Sequence, residues 1–192
     1  IIERDFNQSD KAFISYRNLA DQEQVSLSIN TPLPIKKWWN GYFSATIYQA
    51  YFKARFPEYS FDITSPIATN FYMEHSFTLP KDMAFEISGW FNSGNVWGGA
   101  MLNAPQGSLD LGWKKNFWNN NASIKIGFTD LLQTARWKGE SSSIPGLVFK
   151  ANGRWESQKL NINFNYRFGN SNVKSERQRK TGLEDEKNRI KG

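Results

Sequence analysis

One histidine, His75, and no cysteine occur among the 192 residues. That excludes disulfide scaffolds, thiolate metal sites, cysteine nucleophiles and multi-histidine metal centres, and leaves a Ser-His-Asp triad without support. His75 sits between Met73 and Phe77 on the apolar side of its segment, as a surface or interface residue would. Glu74 and Glu86 fall across one predicted hairpin, but nothing around them supplies the acid/base environment or the defined separation that glycoside hydrolysis requires. No enzyme activity and no cofactor are expected.

The remaining polar chemistry is of a binding kind. Glu74, Glu86, Asp110, Lys114, Lys125 and Arg167 lie deep in β-prone stretches, where they would line a wet surface as a ligand path or as a hydrated charge network. Trp90, Trp97 and Trp137 fall near Asn92, Asn95 and Asn103 in longer connections. Such aromatic and amide groups can stack on and hydrogen-bond a sugar or chelate, and Trp97 and Trp137 are the candidate ligand contacts; the plainer reading is an interfacial girdle and loop packing. The glycines of Ser93–Gly99 lack phosphate-loop spacing. The net charge is +6, from 24 basic and 18 acidic residues. In 170–192 acidic residues interleave with basic ones, so this stretch reads as a solvated tail rather than a nucleic-acid arm.

These side chains need elements with period two. From Leu160 to Phe168 every even position is apolar or aromatic and every odd one is Asn or Arg. Successive side chains of a strand point to opposite faces, so this run has one oily and one polar face. The pattern recurs at Ala122–Thr129, Leu109–Lys114, Met83–Asn92, Asn70–Leu79, Val25–Asn30 and through Trp38–Phe56. It predicts about eight strands, roughly at 8–19, 21–33, 38–57, 67–79, 82–96, 106–117, 121–139 and 147–169. Within the last of these the apolar parity switches from odd to even, which means either a hairpin at 156–159 or one strand shifting face at a bulge. The bulge is preferred, because a hairpin would end the chain on the long-loop side.

Short turns at 34–37, 80–82 and 118–121 alternate with longer polar connections at 57–66, 93–106 and 139–146. Short turns at one end and long loops at the other is how outer-membrane barrels are built. A soluble β-sandwich, such as a carbohydrate-binding one, shares the alternation. Charges deep in the polar faces, apolar spans of about nine residues and aromatics beside the short turns (Trp38, Trp39, Phe117, Trp118, Phe168) favour the barrel. A second aromatic set, Tyr51, Phe52, Trp97 and Trp137, falls toward the long loops. An aromatic content of 16% argues against disorder. No apolar run reaches the roughly 18–20 residues of a membrane helix.

Asn161–Asn170, with its Tyr-Arg-Phe-Gly ending, resembles the closing strand of an outer-membrane β-barrel family common in Bacteroidetes and related to TonB-dependent receptors. The charged stretch Arg179–Ile190 is similar to that family's C-terminal tail, Pro32–Trp39 to its periplasmic turn, Phe77–Gly89 to a recurring hairpin and Gly127–Leu132 to its penultimate-strand motif. The resemblance implies an all-β, antiparallel transmembrane barrel segment that is an arc of a larger barrel of about 22 strands. Residues 1–169 would be the C-terminal barrel portion and 170–192 a periplasmic tail. It also implies uptake of an unidentified ligand across the outer membrane of a Gram-negative, Bacteroidetes-type cell. Outer-membrane lipid, the barrel-assembly machinery, a plug and earlier strands of the same protein, and a TonB-type energy coupler would be partners, with no nucleic acid. Phe164, Tyr166 and Phe168 would carry the assembly signal. The first residue is Ile1 and no signal-peptide pattern follows it, which reads as a processed chain or a piece of a longer one. A passive channel, an adhesin or a self-contained eight-strand barrel are the alternatives within the class.

Overall fold

A computed structural model describes residues 2–4, 12–14, 21–55, 60–98, 101–141 and 149–168, all of them strand, turn or irregular backbone. The expected first strand falls mostly outside these residues, as do 142–146 of the expected 139–146 connection and the expected 170–192 tail. Short strands β1 (Ile2–Arg4) and β2 (Ala12–Ile14) pair with each other. The principal sheet contains β3 (Asp21–Lys36), β4 (Trp39–Arg55), β5 (Ser60–Thr64), β6 (Ala68–Leu79), β7 (Met83–Asn92), β10 (Gln106–Phe117), β11 (Ala122–Thr129) and β14 (Lys159–Tyr166). It is an antiparallel meander in the order β3-β4-β6-β7-β10-β11-β14, with β5 paired to the upper end of β4. Neither β3 nor β14 has a second neighbour among the described residues.

Register decides the character of the two faces. One cross-strand row reads Leu33, Gly41, His75, Ile87, Leu111, Phe128, Leu160. The next reads Trp39, Phe77, Phe85, Trp113, Ile126, Ile162. The rows displaced by one residue are polar: Ser76, Glu86, Gly112, Gly127, Asn161, and Ala84, Lys114, Lys125, Asn163. A slip of one residue at any pairing would mix the sets.

Among the described residues the oily face packs against no other protein layer. Leu27 is 76% exposed and Ile162 63%. A buried apolar cluster, Ala50, Phe52, Ala54 and Phe61 with Ile63 and Val96 against it, lies at the long-loop end on the polar side of β4. Phe52, expected in the upper aromatic set, is thus a core residue. Strands β3 and β4 have 16 and 17 residues, more than the ~9–11 that cross a bilayer. Their surplus length carries β5 and this cluster. Above them Arg55 donates to Asp62 at 2.8 Å, and that hydrogen bond, more than charge alone, holds the Asp62 carboxyl below its ordinary range.

The 80–82 and 118–121 turns lie where expected; the first falls later than expected, at 37–38, because β3 continues through a register shift between Pro34 and Lys36. Trp118, Asn119 and Asn120 all have φ near +50° to +70°. That region suits asparagine and strains tryptophan. The Trp118 indole packs edge-on to Tyr166 at 5.6 Å, which offsets the cost.

The long connections differ from the expectation of plain loops. β8 (Asn95–Trp97) and β9 (Met101–Asn103) fall in the 93–106 connection, β12 (Trp137–Ser141) runs into the 139–146 one, and β13 (Phe149–Gly153) occupies the start of the expected last strand; they join as a second antiparallel sheet in the order β8-β9-β12-β13. The expected strands 82–96, 121–139 and 147–169 are each interrupted where the wall passes into this outer sheet. In the last of them neither a hairpin nor a one-residue bulge occurs. β13 pairs with β12 and β14 pairs with β11, and the irregular stretch 154–158 joins them without reversing the chain.

An arginine on the oily face at mid-wall should cost about 2–4 kcal/mol and one on the polar face far less. Ile126→Arg should therefore sharply reduce folded, heat-modifiable protein in outer-membrane fractions, whereas Ser123→Arg should leave it near the unsubstituted level. Equal loss in both would contradict the assignment of the faces.

Candidate functional site

The polar face is organised from the short-turn end upward. Glu74 stands opposite Tyr42 and Ser88, and accepts from Tyr72 Oη at 2.7 Å and Ser76 Oγ at 3.4 Å. Glu86 stands opposite Ser76 and Gly112. Lys114 and Lys125 face each other directly, an arrangement that repels in a dry sheet and is relieved by water. No ion pair with another described residue neutralises any of these four. Glu86, Asp110 and Lys125 border a recess of about 330 Å³ whose floor includes Gly112 and Gly127. The face carries acidic groups on β6 and β7, both signs on β10 (Asp110 and Lys114) and a basic group on β11. Arg167 follows β14 at the short-turn end, and its backbone N–H donates to Asn121.

Asp110 belongs to a second arrangement that residue types alone did not reveal. Its Oδ1 accepts from the Ser108 hydroxyl and, at 2.8 Å, from the Asp130 N–H. Asp130 is 1% exposed, with φ +49°. Its carboxylate accepts from the backbone N–H groups of Thr134 and Ala135 and from the Ser157 hydroxyl. Thr134 Oγ1 in turn donates to the Gly107 carbonyl. A buried carboxylate thus ties β10, the β11–β12 connection and the approach to β14 at the level where the wall becomes the outer sheet. The only sequence signal was an Asp closing an alternating run just before a turn.

Above this level runs a chain of neutral hydrogen bonds. Trp137 Nε1 donates to Asn103 Oδ1 at 2.9 Å, Asn103 Nδ2 to Asn95 Oδ1 at 2.8 Å, and Asn95 Nδ2 to Tyr48 Oη at 3.1 Å. Tyr48 shares the polar side of β4 with Ser44 and Thr46, so the Trp137 side of the outer sheet continues the polar face. Trp97 lies on that same side, on the edge strand β8, and is 63% exposed. Trp137 is half-buried and covers Gly139 and Gly153. The two tryptophans therefore stand on one face but are separated by β9. Just below, Asn70, Asn92 and Gln106 form one cross-strand row in which Asn70 Oδ1 and Gln106 Oε1 have no hydrogen-bond partner among the described residues.

His75 takes the oily side. Its Nδ1 accepts from Trp39 Nε1 at 3.1 Å, and its ring covers Gly41, where a Cβ would stand only 2.9 Å from Nδ1. Its role is to satisfy an indole beside the aromatic row. Among the described residues no three His, Asp or Glu side chains are grouped to hold a metal. Phe164, with Ile162 and Leu160, lies on the oily face of β14, and Tyr166 and Phe168 pack edge-to-face at 4.5 Å beyond it.

The chain thus combines an oily exterior, a charged polar face and hydrogen-bonded long connections. The model of the outer membrane protein beta-barrel family matches residues 1–166. The chain belongs to this family. No curated protein and no solved structure matches it. Membership places the protein in the outer membrane and makes the oily face its lipid-facing side. Trp39, Phe77 and Phe85, each within three residues of the 37–38 or 80–82 turn, are then at the interfacial level of this outer-membrane protein.

Asp130→Ala leaves several donors unpaired and should destabilise the protein by about 2–3 kcal/mol. The check is proteolysis of the 131–136 stretch, which should become faster, with Asp130→Asn intermediate. Unchanged proteolysis in Asp130→Ala would show that the carboxylate does not tie these segments together.

Proposed function

We propose that the chain forms the closing part of a TonB-dependent-type receptor that takes up a ligand across the outer membrane, without catalysis. The observation that carries this reading is the open wall: among the described residues β3 and β14 each present an unpaired edge. Unpaired backbone groups in hydrocarbon cost several kcal/mol each, so both edges need strand partners. A larger barrel of about 22 strands, with a plug in its lumen, supplies them. The resemblance of the closing strand and of the 127–132 motif to TonB-dependent relatives in Bacteroidetes adds support. The polar face becomes the lumen wall, with Glu74, Glu86, Asp110, Lys114, Lys125 and Arg167 bordering a ligand path or bracing the plug. Trp97 and Trp137 stand at the mouth as ligand contacts.

Phe164, Tyr166 and Phe168 present the terminal signal to the barrel-assembly machinery. Deleting 160–168 should abolish insertion of the full-length protein, seen as loss from outer-membrane fractions; normal assembly would remove that role. Energy coupling is tested in cells expressing the intact protein by screening labelled compounds for accumulation that depends on it. Such accumulation should collapse when a protonophore is added or the energy coupler is deleted. Accumulation that persists unchanged in both conditions would make the protein a passive channel instead.

A further inference from the structure

The outward side of the wall holds a groove that uptake does not explain. It has a volume of about 690 Å³ and lies between Pro66 and Ile67 on one side and the outer sheet on the other. Register fixes which side of that sheet is involved. Lys138 faces Asn152, and Glu140 faces Lys150 and Leu102. Trp137 and Gly139 alternate with these residues and take the opposite side, the one that reaches Tyr48 through Asn103 and Asn95. The Leu102, Lys138 and Lys150 side is therefore the one turned away from the polar face. Ile67, 66% exposed, precedes by two positions Thr69, which stands opposite Ile47 on the oily face. The groove thus prolongs the oily face beyond its upper rim.

Its charge is one-sided. Arg136, Lys138, Lys150 and Arg154 line it against one carboxylate, Glu140. Lys150 is 3.8 Å from Glu140, and one Arg136 nitrogen donates to Gln133. Lys138 and Arg154 have no partner among the described residues. Excess cations above an apolar ledge at a bilayer surface complement a molecule with an anionic head and acyl tails. Arginine forks and lysine ammonium groups are the usual phosphate donors.

We infer that this groove binds the phosphorylated sugar headgroup of an outer-leaflet glycolipid, whose acyl chains run down past Ile67 onto the oily face. The inference rests on the orientation adopted above, with the long connections outside the cell, and not on uptake itself.

The test uses the intact protein in detergent, with three probes: bisphosphorylated lipid A, the same lipid A with its phosphates removed, and inorganic phosphate. Bisphosphorylated lipid A should bind and raise the Tm. The combined variant Arg136→Gln, Lys138→Gln, Lys150→Gln, Arg154→Gln should lose about tenfold or more in affinity. A comparison variant at the short-turn end, Lys36→Gln, Lys37→Gln, Lys81→Gln, should bind as the unsubstituted protein does. Glu140→Gln should bind more tightly, a change in the direction opposite to any folding defect. Undiminished binding by the combined variant overturns the inference. So does equal binding of dephosphorylated lipid A, which would make the contact purely apolar. Inorganic phosphate displacing the lipid at equal affinity also overturns it, in favour of a free-anion site. Accumulation assays on the same cells report separately on the transport reading.

Discussion

Backbone pairing in a medium without water is the constraint from which the rest follows. Inside hydrocarbon each strand must give all its N–H and C=O groups to neighbours, so the wall from β3 to β14 is one continuous ladder. Once the ladder exists, register alone decides where side chains go. It places His75 in a row of leucine, isoleucine and phenylalanine, and Lys114 against Lys125 on the other side. Neither placement suits a soluble sandwich. Both suit a wall with lipid on one side and water on the other.

The alternation made the wall legible because period two is a local property. Leu160 to Phe168 declares its faces without reference to any neighbour, and β6 and β10 lie within a residue of the ranges their patterns marked, as does the start of β7. The outer sheet was not legible. Its strands are three to five residues long, too short for a period to register, and they are held by distant partners such as Glu140 and Leu102. Phe52 was misread for a related reason. Composition gives the likeness of an aromatic belt, but only the third dimension shows that Phe61 and Val96 cover that ring.

The charged residues of the polar face were found because an ionised group in a β-prone run is conspicuous. Asp130 escaped the same search. A carboxylate next to a turn is ordinary in sequence, and its importance comes from Thr134, Ala135 and Ser157, brought to it by the fold. The hydrogen-bond chain from Trp137 to Tyr48 is of the same kind. Trp137, Asn95 and Asn103 were singled out as aromatic and amide groups of the longer connections, but Tyr48 was not, and the order and directions of the bonds depend on two sheets meeting.

The interruptions at 93–94, 104–105, 130–136 and 154–158 fall at one height and separate the principal sheet from the outer one. Together they form a crease around this part of the molecule. Below it a single inserted residue would turn a whole segment inside out. Above it, segments can lengthen, shorten or change their residues without disturbing the part that crosses the bilayer, so the exterior storey is free to diversify while the foundation stays the same.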